Sequence, residues 1–239
     1  MSSNHLKRLA MPRSWPLPRK TTVWVTRPTP GAHSLEHCMP VTLVVRDMLG
    51  LAQSAREVRF ILHNEMAKID GRVVKDPRRG VGLMDVLTLG DEHYRCVLDH
   101  RGRLRYRSIS AKEAAWKICR IEGKTTIKGG QTQLNLHDGR NIIVDDANAY
   151  STGDSLKLGL PEQNIVEHIR FGEGTRCYLI GGGHVGSTAS VKEYVVKRSS
   201  MPNEVIFDGF GTVSRNVFAI GDASLPLSEV NECVLWPTQ

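Results

Sequence analysis

No apolar run in the 239-residue sequence approaches eighteen residues, so no helical membrane span is encoded. The five cysteines, Cys38, Cys96, Cys119, Cys177 and Cys233, include no C-x-x-C pair, which argues against a zinc knuckle or ribbon. Their odd number, without a signal peptide, predicts reduced thiols in a cytoplasmic protein. Leu9-Ala10-Met11 is too short for a signal h-region, and Pro12 interrupts it. Nine histidines are scattered with no H-E-x-x-H, and neither a G-x-S-x-G elbow nor a P-loop occurs. Nothing gathers a nucleophile, a base and an oxyanion site. The sequence therefore predicts no catalytic residues, no metal site, no cofactor and no small-molecule substrate. Acid is missing from the front of the chain: none precedes Glu36.

What is present is basic charge, unevenly placed. Lys plus Arg total 32 against 25 Asp plus Glu, a net +7. Lys7, Arg8, Arg13, Arg19, Lys20 and Arg27 stand in the acid-free front. From Ser199 onward Glu204, Asp208, Asp222, Glu229 and Glu232 face only Arg215. Such asymmetry suits one polyanion-facing surface, although a solvated surface with an uneven charge is the plainer alternative.

Residues 1–38 read as an extended basic arm, since Pro12, Pro16, Pro18, Pro28 and Pro30 block helix and ladder alike. Cations and tryptophans such as Trp15 and Trp24 in such an arm could follow RNA, ordering only when it is present. Pro40 opens a helix with the stripe Val41, Val44, Val45, Met48, Leu49, stopped by Gly50. Ser54 and Glu57 form a capping signal for a second helix, with Arg56, Arg59 and His63 on one side. Asp70-Gly71 is a hairpin signal, and Arg72, Lys75, Arg78 and Arg79 follow within eight residues, either an RNA-grasping unit or a surface loop.

Leu83–Leu89 and Tyr94–Leu98 read as strands. Arg101, Arg103, Arg105 and Arg107 then recur at period two, which puts all four on one side of an extended segment. Ser110–Glu113 is a capping box for a helix burying Ala114, Ala115 and Ile118. From Thr125 short strands and turns predict a small barrel or sandwich, with hairpins at His137–Arg140 and Pro161–Asn164.

Gly181-Gly182-Gly183-His184-Val185-Gly186 satisfies G-x-G-x-x-G, with Asp208 about twenty residues beyond. A dinucleotide site needs a helix rising from those glycines. Ser187 to Val196 is rich in β-branched and hydroxyl residues and reads as strand. The glycines are better explained as a tight turn between strands.

His5-Leu6-Lys7-Arg8-Leu9-Ala10-Met11-Pro12-Arg13-Ser14-Trp15 resembles the opening of the archaeal and eukaryotic small-subunit ribosomal protein family called S-four-e. Residues around Met39–Thr88 resemble that family's small RNA-binding module, with Gly71–Val74 and Met84–Val86 at its hairpin and next strand. Ile109–Ala114 resembles the entry to the central domain, Gly181–Gly186 the turn of a KOW unit, and Asn216–Gly221 the last strand. The chain departs from the family pattern at Ser187 and Thr188, where Arg or Asn is common. It also departs at the end, Glu232–Gln239, where a basic tail is common.

The resemblance implies a multidomain, mainly β, α+β protein. Its parts would be an arm (1–38), a helix-helix-hairpin RNA-binding module (39–105), a central β-barrel-like domain (106–172) and a KOW, SH3-like small barrel with tail (173–239). It also implies a cytoplasmic structural constituent of the small ribosomal subunit, with small-subunit rRNA and neighbouring ribosomal proteins as partners and no membrane. Expected RNA contacts are His5, Lys7, Arg8, Arg13, Trp15, Arg19, Lys20, Arg46, Arg56, Arg59, Lys68, Arg72, Lys75, Arg78, Arg79, Arg101, Arg103, Arg105 and His184. An RNA-binding regulator or an RNA-modifying factor with the same module is the alternative.

Overall fold

A computed structural model describes residues 5–223 and 225–226; the acidic end from Leu227, including Cys233, lies outside the described residues. The fold is mainly β, with several small sheets and few helices.

The front segment is not an extended arm. Strand β1 (His5–Lys7) pairs antiparallel with β2 (Trp24–Thr26). The proline-rich loop between them packs Met11, Trp15 and Leu17 into the main core. Prolines exclude a helix here but do not prevent irregular chain from burying side chains. Loss of a buried tryptophan costs about 3–5 kcal/mol, so Trp15 is an anchor of this segment on the core.

Next come β3 (Cys38–Pro40), α1 (Val41–Leu43) running into a wider π turn over Val44–Met48, and α2 (Ala55–His63). Gly50 takes φ +68°, the left-handed stop expected there. The Ser54 hydroxyl accepts the Glu57 N–H, capping α2, which buries Val58 and Leu62. Strands β4 (Ala67–Ile69) and β5 (Arg72–Val73) join through Asp70 and Gly71, at φ +51° and +78°. Strand β6 (Gly80–Gly82) pairs with β3. The strand expected over 83–89 starts only at β7 (Val86–Leu89), because Met84 turns the chain at φ +66°.

β8 (Glu92–Leu98) and β9 (Leu104–Ile109) complete a sheet ordered β5-β4-β7-β8-β9. One face, with Ile69, Leu87, Cys96, Leu98, Leu104 and Tyr106, enters the main core. The boundary expected between residues 105 and 106 falls inside β9, which pairs along its length with β8.

The capping box at Ser110 forms, but α3 (Ala111–Ala114) is a single turn. Ala115 is exposed, and Ile118 lies in the next strand rather than on a helix. Strands β10 (Trp116–Thr126), β11 (Thr132–Leu136), β12 (Asn141–Val144), β13 (Ser155–Gly159) and β14 (Ile165–Ile169) form an antiparallel sheet ordered β12-β11-β10-β13-β14. An irregularity between Ile121 and Gly123 divides β10 between partners, β13 before it and β11 after it. Cys119, Ile121, Leu134, Leu136, Leu156 and Leu158 fill the core of this sheet.

At the back, β15 (Arg176–Leu179), β16 (Thr188–Ser190) and β20 (Val217–Ala219) make one sheet. Between them in sequence, β17 (Glu193–Val195), β18 (Glu204–Phe207) and β19 (Phe210–Val213) make another. Both close on one core including Leu179, Val205, Phe207 and Val217.

This unit docks on the backbone at the end of β8. The Tyr178 hydroxyl accepts the Leu98 N–H and donates to the Leu98 carbonyl, both at 2.8 Å. At Gly186, φ is +81°, and a Cβ there would lie 2.6 Å from the Asp99 carbonyl carbon. The residues that follow form β16, not a helix. Among the described residues no helix starts at these glycines to hold a pyrophosphate, and Gly186 is accounted for by a close chain-to-chain approach.

Candidate nucleic-acid interface

Two distant segments converge on one groove of about 570 Å³, lined by Arg13, Trp15, Pro16, Leu17, Pro18, Arg19, Arg101 and Arg103. The front loop is fixed there by backbone bonds: the Leu104 N–H donates to the Ser14 carbonyl at 2.8 Å, and the Trp15 indole N–H to the Cys38 carbonyl at 2.7 Å. Gly102, at φ +71°, folds the β8–β9 turn tightly, so Arg101 and Arg103 face the loop. Arg19 is braced by a bond to the Leu9 carbonyl. None of the four arginines meets a carboxylate among the described residues. Four uncompensated guanidinium forks along an open groove match phosphate oxygens, which such forks bind bidentately.

A second cationic region surrounds the β4–β5 hairpin. Lys68, Arg72, Lys75 and Arg79 are exposed and Arg78 is half-buried. Lys75 is paired with Glu65 at 2.7 Å across solvent. Such a surface pair is weak and exchanges readily for a stronger anion. On α2, Arg56, Arg59 and His63 are exposed together with Phe60.

Several expected contacts are corrected. Trp15 is buried, only 2% exposed, and offers no free ring to a base. Arg8 is buried too, its guanidinium spent on the Pro18 carbonyl and the Thr22 hydroxyl. Arg46 is half-buried and ion-paired with Asp47 at 2.8 Å. The four period-two arginines do not share one side, because only Arg105 and Arg107 belong to β9. Those two alternate with buried Leu104 and Tyr106, so they occupy the outer sheet face, where Arg105 reaches Asp99 only at 3.5 Å. Lys20 is exposed, and His5 and Lys7 lie on the exposed side of β1. His184 is exposed and stacks on Phe210, centroids 4.1 Å apart.

Beside the hairpin opens a cleft of about 660 Å³ whose floor is ionic. Lys117, fully buried, donates to Asp70 at 2.9 Å, to Asp138 at 2.8 Å and to Asp85. Arg140 reaches Asp70 and Asp138, and His33 lies 3.0 Å from Asp85. Burial alone would lower Lys117, but the facing Asp85 and Asp70 carboxylates outweigh it and hold the ammonium well above its ordinary range. Burial likewise works to raise Asp138, yet Lys117 and His137 overcome it and bring it down to about 2. The cluster ties the front loop (His33), the front sheet (Asp70, Asp85) and the central sheet (Lys117, Asp138, Arg140). It was not legible in the sequence, where Asp70 and Asp138 read as ordinary turn residues.

Cys119, His137 and Asp138 also lie close enough to suggest a metal. Their atoms are otherwise engaged: the Cys119 thiol donates toward Asp138, and His137 Nδ1 accepts the Arg120 N–H. Burial raises the thiol far above its ordinary range and, with Lys117 nearby, lowers His137 to about 3. A protonated thiol beside an occupied carboxylate is a poor ligand set.

Comparison with known proteins finds two family models on the chain. The ribosomal family S4e model matches residues 90–165, and the RS4NT (NUC023) domain model matches residues 2–36. The small ribosomal subunit protein eS4 of Methanosphaera stadtmanae is 41% identical over 237 residues, covering 97% of this chain and 98% of that protein. Its counterpart in Methanocaldococcus jannaschii is 42% identical, covering 91% and 94%. Among solved structures, the 30S ribosomal protein S4e of Thermoplasma acidophilum superposes with a TM-score of 0.69 at 32% identity, over 77% of this chain and 95% of that one.

Proposed function

The chain belongs to the ribosomal S4e family, and from that premise we propose that it is a structural constituent of the small ribosomal subunit that holds rRNA by its sugar–phosphate backbone. The observation that carries this is the groove in which Arg13, Arg19, Arg101 and Arg103 converge without a carboxylate among them. Exposed cations of α2 and of the β4–β5 hairpin supply a second basic region. The role is one of holding rather than catalysis, in the cytoplasmic ribosome, with rRNA and adjoining ribosomal proteins as partners.

Residues from Met39 to about Ile109 act in this reading as the RNA-binding module. The strands from β15 to β20 act as a KOW-type small barrel. Two three-stranded sheets around one core, with a glycine turn between β15 and β16, support the second assignment.

A tagged full-length chain should sediment with small subunits and remain there through a high-salt wash. Replacing Arg72, Lys75, Arg78 and Arg79 together by Glu should abolish stable incorporation. A wild-type chain that stays at the top of the gradient would overturn the role; normal incorporation of the quadruple variant would remove those four residues from the interface.

A further inference from the structure

The β1–β2 ribbon carries an aromatic surface that the groove does not use. Leu6 stands opposite Val25, and Lys7 opposite Trp24. Val25 is buried and Leu6 packs against the main core. Strand alternation therefore turns His5, Lys7 and Trp24 outward together. Trp24 is 54% exposed. Its ring centroid lies 5.4 Å from that of His5, tilted by 57°, and 5.7 Å from the Lys7 ammonium.

A large aromatic ring left in water beside cations fits a ligand that is itself a flat π system attached to an anion. A nucleotide is both. Leu9 and Val23 are exposed nearby and would also suit an apolar protein. The charge favours the nucleotide, because Lys7 lies against the Trp24 ring and the segment that carries the ribbon has no acid before Glu36. Base–aromatic stacking also tolerates any base, so the ribbon needs no hydrogen-bonding code.

We infer that the β1–β2 ribbon is a stacking platform for an unpaired nucleobase of RNA, with Trp24 against the base and Lys7 on an adjoining phosphate. It rests on the RNA-holding role proposed above and adds to it. The arginine groove holds backbone whether or not the bases are paired, whereas Trp24 requires a base with a free face.

The test uses full-length protein and an in vitro transcript of small-subunit rRNA, titrated by fluorescence anisotropy over a range of salt. Stacking of one base is lost on Trp24→Ala, and the expected weakening is about tenfold, with most affinity kept by Trp24→Phe. Neither change removes a cation, so the salt slope stays as in wild type, while Lys7→Gln flattens it by about one unit. Trp24→Leu separates stacking from apolar bulk: weakening like that of Trp24→Ala supports the platform, and wild-type affinity overturns it. Should Trp24→Ala unfold, the comparison of Trp24→Phe with Trp24→Leu decides alone. Variants that bind the transcript normally but fail to enter subunits would show a protein partner and overturn the nucleobase assignment. A wild-type chain that does not bind the transcript would instead remove the RNA-holding role itself.

Discussion

Neutralising the groove by Arg13→Gln, Arg19→Gln, Arg101→Gln and Arg103→Gln together changes charge while keeping chain length and polarity. Because none of the four is tied to a carboxylate among the described residues, each is free to displace a counterion from a phosphate. Each such contact contributes about 0.7–0.9 to the slope of log affinity against log salt, so four contribute about 3. Between roughly 50 and 200 mM salt, wild type should therefore lose about two decades more affinity than the variant. The assay is equilibrium binding to the small-subunit rRNA transcript at a series of KCl concentrations. Arg46→Gln is the control, since its guanidinium is already paired with Asp47, and its slope should match wild type. A quadruple variant that still folds, judged by its thermal melt, and keeps the wild-type slope would refute the groove as a phosphate site.

Three further outcomes concern the folded frame. Lys117→Met leaves three buried carboxylates short of a partner. The cost is about 3–5 kcal/mol, or roughly 6–20 °C of Tm for a chain of this size; a melt unchanged within error would contradict the cluster's role. The same group sets an acid limit. Asp138 is depressed from its ordinary 3.8 to about 2 in the folded chain, so its stabilisation is complete above pH 3.8 and is lost as pH falls through about 2. Melts of Asp138→Asn should be flatter across that window than wild type. Gly186→Ala places a Cβ into the Asp99 carbonyl at positive φ. It should cost at least about 1–3 kcal/mol, or roughly 2–12 °C of Tm; an equal Tm would show the contact to be loose.

Local chemistry was readable from sequence wherever a single residue decides a backbone state. Gly50, Asp70-Gly71 and the Ser110–Glu113 box all stand where their turn and cap preferences put them. The β-branched run after Gly186 was enough to set aside a dinucleotide site. Side-chain fate across long separations was not readable. Nothing near Trp15 announces that its ring lies inside, because its neighbours are prolines and cations that a surface arm would also have. Lys117 gives no sign of burial either, since its three carboxylates come from residues 70, 85 and 138. The period-two arginines misled for a related reason: Arg101 and Arg103 lie in the β8–β9 turn and line the groove, while Arg105 and Arg107 lie on β9, so one repeat serves two surfaces.

The main core draws on Met11, Trp15 and Leu17 at one extreme and on Tyr178, Phe218 and Ile220 at the other. During synthesis the first of these leave the ribosome about two hundred residues ahead of the last, at roughly 5–20 residues per second. The front of this protein must therefore wait some ten to forty seconds, incompletely packed, for strand β20 to arrive. A nascent chain ending before β15 exposes the apolar surface that Tyr178, Phe218 and Ile220 cover in the finished fold, so a chain of this design needs shelter until translation is nearly done.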